Sequence, residues 1–281
     1  MSIRTTMPWI LLLFGSVGAW MQPRWGFEAD AATRRGVDLL VCLDVSRSML
    51  ARDVGPDRLQ RAKAEVEALM TELGEDRIGL VLVAGEARRA APLTRDFASY
   101  RAILQLADPQ SLRQGGTDLA AALETAATLL EDAADGGRHV LLLTDGEDRA
   151  GRAAEFAAAI GAQGIQVHTL GVGTARGGKI TLTDRDGQEF FLQDAFGKEV
   201  VTRLMPASLD RIAAATRGSS LQLQEEVGVL VPWYREVLLP QLQEAAIADP
   251  DMERANRFQW PLGVAGIGAF LLLSGLTRRR R

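Results

Sequence analysis

The chain has 281 residues, 47% hydrophobic and 24% charged, with a net charge of −4; that is room for one sizeable α/β domain plus attachments, well above the size at which a core is hard to build. The basic residues, 29 Arg against 3 Lys, are scattered among acids and form no stripe, which argues against a nucleic-acid partner. A lone cysteine, Cys42, excludes an internal disulfide and reads as a small buried hydrophobe.

Between Arg4 and Arg24 lie 19 uncharged residues with MPWILLLFGSVGAWM at their centre. This is a signal-anchor or a signal peptide, residues 1–24, and Ser16-Val17-Gly18-Ala19 also fits a cleavage site, so both outcomes stay open. The run Val37 to Leu43 carries a single polar side chain, as expected of a strand buried on both faces of a parallel sheet. It ends in Asp44, followed by Ser46 and Ser48, so the spacing D-x-S-x-S sets one carboxylate and two hydroxyls within a turn.

After that strand, Pro56-Asp57 opens a helix from Arg58 to Leu73 with Leu59, Ala62, Val66 and Leu69 on one face and Gly74 as its stop. A second strand runs from Arg77 to Ala84, and a short edge strand from Ala87 to Leu93. Helices are predicted over Ser99–Leu106 and Asp118–Leu130, a strand over Val140–Thr144, a helix over Ala150–Gly161 and a strand over Ile165–Val172. This alternation implies α/β architecture, a doubly wound, mostly parallel Rossmann-like sheet spanning residues 36–224.

From Gly173 to Thr202 the pattern changes. KITLTDRDGQEFFLQD reads as strand, Asp186-Gly187 turn and strand, a β-hairpin inserted before the last helix. Asp184, Asp186 and Glu189 read as turn and solvated residues rather than a calcium loop, whose spacing they lack. Ser208 is expected to cap a helix to Thr216, and Ser219 to Leu223 supplies a final strand.

Glu225 to Arg257, interrupted by Pro232, Pro240 and Pro250, reads as a juxtamembrane stalk of broken helices, with Trp233 and Tyr234 helping to pack it. Phe258 to Thr277 is 20 residues without a charge, bounded by Arg257 and by the basic tail Arg278 to Arg281, a match to the hydrocarbon thickness at residues 258–277. The arginine tail 278–281 marks the cytoplasmic side, and flanking transmembrane helices at both ends then put the domain in the periplasm of a bacterial inner membrane. Against that orientation, Arg24, Arg34, Arg35, Arg254 and Arg257 flank the spans on the outer side.

The chemistry concentrates at strand ends. Short oxygen ligands carrying one formal charge suit Mg²⁺. Two later segments offer more oxygens: QGGTD at 114–118, with Thr117 at a helix start, and HVLLLTDGED at 139–148, whose apolar run ends in Thr144 and Asp145. In open α/β sheets ligands bind at that carboxyl edge, where strand order reverses. Asp118, Glu147 and Asp148 read as helix-start or surface carboxylates favoured by the dipole rather than as ligands. His139 and His168, each at or in a strand with no Ser or Cys candidate nearby, read as structural.

D-x-S-x-S after a first strand, Thr117 after a glycine pair and T-D-G after a later strand together resemble the metal-ion-dependent adhesion site (MIDAS) of the von Willebrand factor A fold. The matching positions are Asp44, Ser46, Ser48, Thr117 and Asp145. RGVDLLVCLDVSRSMLARDVGPDRLQRAKAEV, DRIGLVLVAGEARRAAPLTRD, LLLTDGEDRAG and NRFQWPL are similar to the membrane-anchored A-domain proteins of the bacterial aerotolerance (Bat) family, most of all its B-type member.

The resemblance implies a Mg²⁺ site, with Mn²⁺ as the other acceptable ion, that binds a carboxylate from a protein partner. The implied setting is a membrane complex with other Bat-type A-domain and tetratricopeptide-repeat proteins and a MoxR-type AAA+ ATPase, linked to stress tolerance or protein assembly. QPRWG at 22–26 resembles the segment joining the last N-terminal span to the A domain in that family, which favours retention of the N-terminal segment. Two N-terminal spans are common in the family; this chain has room for one.

Two other readings compete. Aspartates at the carboxyl ends of parallel strands near Ser and Thr also describe a Mg²⁺-dependent phosphatase with an aspartyl nucleophile, but that class resembles D-x-D, Ser46 stands where its second Asp belongs, and Lys63, Lys179 and Lys198 are poorly placed for a phosphoryl group. Alternatively Asp44 and Asp145 are helix caps at strand ends of a purely structural, tethered domain. The coincidence of the three segments favours a binding module over an enzyme.

Overall fold

The computed structural model describes residues 3–27, 37–74, 76–131, 133, 137–148, 151–184, 186–223, 228–242 and 254–278. They divide into two units, 35–244 and a terminal unit formed by 1–34 with 245–281.

The larger unit is built on a six-stranded sheet. In chain order its elements are β1 (Asp38–Asp44), α1 (Arg58–Met70), β2 (Arg77–Val83), β3 (Ala87–Thr94), α2 (Phe97–Gln105), α3 (Leu119–Leu130), β4 (Arg138–Thr144), α4 (Ala153–Gly161) and β5 (Gln166–Gly171). The insert follows as β6 (Gly178–Lys179), β7 (Thr181–Thr183), β8 (Glu189–Phe191) and β9 (Val201–Thr202). Then come α5 (Pro206–Ala215), β10 (Ser220–Gln222) and α6 (Leu230–Trp233), which runs on into a π-helical turn, Tyr234–Leu238.

The strand order is β10-β5-β4-β1-β2-β3. All pairings are parallel except the edge strand β3, which runs antiparallel to β2. The chain leaves β1 toward β2 on one side and returns to β4 on the other, so the carboxyl ends of β1 and β4 meet at the reversal of strand order.

Every residue of β1 is buried, because helices cover both faces of the sheet. Leu39, Val41 and Leu43 face a core that includes Leu59, Ala62, Val66 and Leu69 of α1 and Tyr100 and Leu104 of α2. Leu40 and Cys42 face the other core, with Leu119, Leu123 and Ala126 of α3 and Ala153, Ala157 and Ile160 of α4. Asp57 caps α1, accepting from the Gln60 amide at 2.8 Å. The expected hairpin is present: β7 and β8 pair antiparallel around the 186–187 turn.

Three expectations change. Helix α5 begins at Pro206, two residues before Ser208, with Met205 as its cap; proline at the first helical position presets φ and forfeits an N–H that has no helical partner there. Helix α4 begins at Ala153, and the expected start at Ala150 lies outside the described residues.

The expected stalk is in part core. Leu230, Trp233, Tyr234 and Leu238 pack into the cluster on the α1 face. The buried Glu65 carboxylate accepts from the amides of Gly228 (2.8 Å), Val229 (2.8 Å) and Leu230 (3.2 Å), so an acid on α1 caps the start of α6. The Tyr234 hydroxyl donates to Asp76, and Arg235 pairs with Glu72 at 2.6 Å. Pro232 falls in the first turn of α6, where proline is tolerated. Residues 224–227 and 243–253 of that segment, Pro250 among them, lie outside the described residues, as do Arg34, Arg35 and the tail beyond Arg278.

In the terminal unit, the helix Ile3–Trp20 packs against the helix Gln259–Arg278, and Arg24–Phe27 pairs antiparallel with Arg254–Asn256. A side chain at Gly15 would meet the Ala265 backbone nitrogen at 2.5 Å, and one at Gly268 the Leu12 nitrogen at 2.7 Å, so the two backbones approach where both helices are bare. Among the described residues no helix is long and apolar enough to cross a membrane, so the expected flanking transmembrane helices are not met by that measure.

Candidate metal centre

The turn after β1 is shaped by the side chain of its own aspartate. The Asp44 carboxylate accepts from the Ser46 amide at 2.8 Å, and Val45 still pairs with the Val83 carbonyl at 2.8 Å, which holds the turn against the end of β2. A single 3₁₀ turn, Arg47–Leu50, then folds Ser48 back so that its hydroxyl lies 2.9 Å from that of Ser46. Both serines are largely buried, and Asp44 is completely so.

The glycine loop is fastened to the next strand end. Gly85 donates to the Gln114 carbonyl at 3.0 Å and Asp118 to the Ala84 carbonyl at 2.7 Å. A side chain at Gly85 would meet the Gly115 carbonyl at 2.5 Å, so only glycine admits the loop this close. Asp118 caps α3 through the Ala121 amide, as its helix-start reading expects, and Thr117 is left buried just before it.

The end of β4 supplies the third segment. The Thr144 hydroxyl donates to Asp44 at 2.6 Å, tying the β1 and β4 ends together. Asp145 is fully buried; one of its oxygens accepts from the Glu147 amide at 3.2 Å, the other from Arg58 at 3.0 Å and from the Thr202 hydroxyl at 3.1 Å. Burial and the charge of Asp145 raise the Asp44 carboxyl well above the usual carboxylate range, against the lowering by its bonds from Thr144 and Ser46.

Arg58 is the residue that the sequence pattern did not single out. Its side chain is wholly buried. It grips Asp53 with two nitrogens, at 2.7 and 2.9 Å, donates to Asp145 at 3.0 Å, and reaches the Thr202 carbonyl of the insert at 3.2 Å. Asp53 in turn accepts from the amide and hydroxyl of Thr174, at 2.8 and 2.9 Å. A signal for it exists in the sequence: Arg58 lies four residues before Ala62, on the same stripe as Ala62, Val66 and Leu69, so its charge points where the core is.

Ser46, Ser48 and Thr117 therefore line one cavity of about 450 Å³, together with Glu147 and Thr202, whereas Asp44, the last residue of β1, and Asp145, the first past β4, are fully buried and do not line it. Glu147 departs from its expected role, since it lines this cavity and accepts from the Thr202 hydroxyl at 2.8 Å. Asp148 keeps its role, accepting from the Ala153 amide that begins α4. Among the described residues no three His, Cys, Asp or Glu side chains group as a metal site. The donor set is instead three hydroxyl oxygens with two buried acids nearby, a hard-oxygen set of low charge, and the burial that disfavours the Asp44 carboxylate, together with the charge of Asp145, would be offset by a cation.

The histidines are elsewhere. His168 Nδ1 accepts from the Ser219 amide at 3.0 Å, so its proton sits on Nε2 and is donated to His139 Nδ1 at 3.1 Å. The pair is buried, His168 lies against Trp233, and neither ring lines the cavity.

Comparison with known proteins identifies the family and the fold. Residues 39–147 match the family model for the von Willebrand factor type A domain. The chain is 31% identical to the conserved hypothetical protein BatB from Bacteroides thetaiotaomicron, with a TM-score of 0.68, and the match covers 76% of this chain and 100% of that structure. It is 32% identical to an aerotolerance-related membrane protein from Bacteroides fragilis, with a TM-score of 0.65, covering 74% and 99%. Proximal thread matrix protein 1 from the mussel byssus, solved with a zinc-occupied MIDAS motif, shares the fold at 17% identity and a TM-score of 0.52, covering 74% of this chain and 46% of that one. An uncharacterised protein of Borreliella burgdorferi is 27% identical over 187 residues, 65% of this chain, which spans about half (52%) of that protein's length.

Proposed function

The chain belongs to the Bat family of von Willebrand factor A proteins, and on that premise we propose that it is a metal-dependent protein-binding module. The observation that carries this is the convergence of Ser46 and Ser48, from the turn after β1, with Thr117, from the glycine loop, on one cavity at the point where strand order reverses. Ser46, Ser48 and Thr117 would hold Mg²⁺ (or Mn²⁺) through their hydroxyls, and Asp44 and Asp145 would hold it directly or through water. Such an ion, when bound, supplies an electrophilic point of attachment for a carboxylate from a partner protein.

The chain's own residues prepare the place. Thr144 fixes the Asp44 carboxylate by a 2.6 Å bond and Arg58 fixes that of Asp145, so neither acid needs to reorganise. The hydroxyl donors leave most of an ion's charge unneutralised, which favours an anionic partner group. The phosphatase alternative gains little: Lys63 donates to the Gln105 carbonyl and Lys179 pairs with Glu199, and neither lines the cavity.

We read the paired terminal helices as the membrane attachment. Leu13, Phe14, Phe270 and Leu273 are each more than 60% exposed, an apolar exterior that lipid would cover. The arginine tail favours a cytoplasmic end and a periplasmic domain on a bacterial inner membrane. Within this reading the partners are other Bat-type A-domain and tetratricopeptide-repeat proteins and a MoxR-type ATPase. The test is capture of partners from solubilised membranes by the full chain in Mg²⁺ and in EDTA, with Asp44→Ala alongside. Capture lost in EDTA and in the variant supports the reading; capture indifferent to both removes it.

A further inference from the structure

The inserted hairpin lies against the metal centre and gives one wall of its cavity. Besides Ser46, Ser48 and Thr117, the cavity is lined by three aliphatic residues of the insert, Ile180, Leu192 and Val200. These three come from successive segments joined by backbone bonds: Leu192 donates to the Ile180 carbonyl at 2.9 Å, Val200 to that of Leu192 at 2.8 Å, and Ile180 to that of Val200 at 3.4 Å. Each donates to one of the others, so the three backbones adjoin as one apolar group. Leu192 and Val200 are only half-buried, so part of that group is uncovered.

The group is also fixed relative to the hydroxyls. Ala51, just past the metal turn, bridges to Ile180. Arg58 donates to the Thr202 carbonyl, and the Thr202 hydroxyl, with its one proton, lies within hydrogen-bond distance of both Asp145 and Glu147. Further out, Arg52 pairs with Glu189 on β8, with both nitrogens engaged at 2.8 and 2.5 Å. A wall held at this many points reads its occupant rather than moulding to it.

We propose that the insert sets specificity: the metal centre takes a partner segment in which a single acidic residue is followed or preceded, within two positions, by an aliphatic or aromatic one. The acid meets the hydroxyl side, and the neighbour meets Ile180, Leu192 and Val200. Arg47, exposed and lining the same cavity, attracts the acid and counters the charge of Glu147, which lines it too. A volume of about 450 Å³ is within the range of sites that bury a few side chains. This rests on the metal-dependent reading above and adds what selects the partner.

The test is a selection of random seven-residue displayed peptides on the full chain in Mg²⁺, followed by affinities for the recovered peptides and for copies with the apolar neighbour changed to Ser. Mn²⁺ binding to the protein alone is measured in parallel on wild type, Leu192→Asn and Val200→Asn. The expected result is recovery of peptides with an acid next to an apolar residue and about a tenfold loss on the change to Ser. That preference should vanish in Leu192→Asn or Val200→Asn while Mn²⁺ binding is kept. Recovered peptides that need Mg²⁺ and an acid but show no apolar preference, or a preference unchanged in both variants, overturn the proposal alone. Absence of Mn²⁺ binding in the wild type, or capture unaffected by EDTA, overturns the metal reading beneath it.

Discussion

Replacing Arg58 by Met keeps most of the side chain's volume and removes its charge. The guanidinium is fully buried and is the hydrogen-bonded counter-ion of two carboxylates, Asp53, itself 6% exposed, and Asp145, which is fully buried. Four of its bonds, at 2.7, 2.9, 3.0 and 3.2 Å, reach Asp53, Asp145 and the Thr202 carbonyl, so the substitution strands charge in the interior and unties the insert. Breaking a buried pair by removing one partner costs about 3–5 kcal/mol, because the remaining charge has neither water nor a partner. For a domain of this size 1 kcal/mol moves Tm by roughly 2–4 °C, so Arg58→Met should lower Tm by about 6–20 °C in the absence of metal. Thermal melting of the full chain, followed by far-ultraviolet circular dichroism, measures this. A drop below about 2 °C would be the response of a surface ion pair and would refute the burial argument.

Three further outcomes follow from the packing. Gly173→Ala places a Cβ 2.7 Å from the Arg58 guanidinium at a φ of +132°, so it should cost about 1–3 kcal/mol, and less in an Arg58→Met background; equal costs in both backgrounds would deny the contact. Glu65→Ala leaves the amides of 228–230 without their acceptor and should cost about 2 kcal/mol while speeding hydrogen exchange over 228–242; unchanged exchange there would separate α6 from α1. Burial holds His139 down to about 4, and burial with the neighbouring His139 holds His168 down to about 3. Unfolded imidazoles take up protons below about pH 6.5 that the folded ones refuse, so stability is lost as pH falls from 6.5 toward 4, by up to ~1.4 kcal/mol per pH unit for each ring. His168→Asn should flatten the fall in Tm between pH 6.5 and 4.5, and an unchanged slope would assign that fall to other groups.

How far the chain could be read from its residues differed by element. Strand β1 and the D-x-S-x-S turn were legible because a run with one polar side chain, ending in short polar residues, fits a strand buried on both faces that delivers those residues to its carboxyl edge, and the capping by Asp57 and Asp118 followed from local chemistry. The hairpin was legible from its turn, but its place against the candidate metal centre was not, since that depends on Arg58 and Thr202, 144 positions apart. The burial of Arg58 is signalled by its place on the apolar stripe of α1, but its role was not legible, because Asp145 and Thr202, the partners that tie it to this centre, are distant in sequence. Glu65, Asp76 and Glu72 similarly decide that 228–242 joins the core; read alone, its two prolines, Pro232 and Pro240, suggest only a broken connection.

Mn²⁺ binding to the full chain, followed by the loss of the free-ion paramagnetic resonance signal, tests the metal centre without any partner. One site per chain, competed by Mg²⁺ and lost in both Asp44→Ala and Thr117→Ala, is the expected result. No binding in the wild type, or binding that survives both substitutions, would contradict the assignment of the cavity as a metal centre.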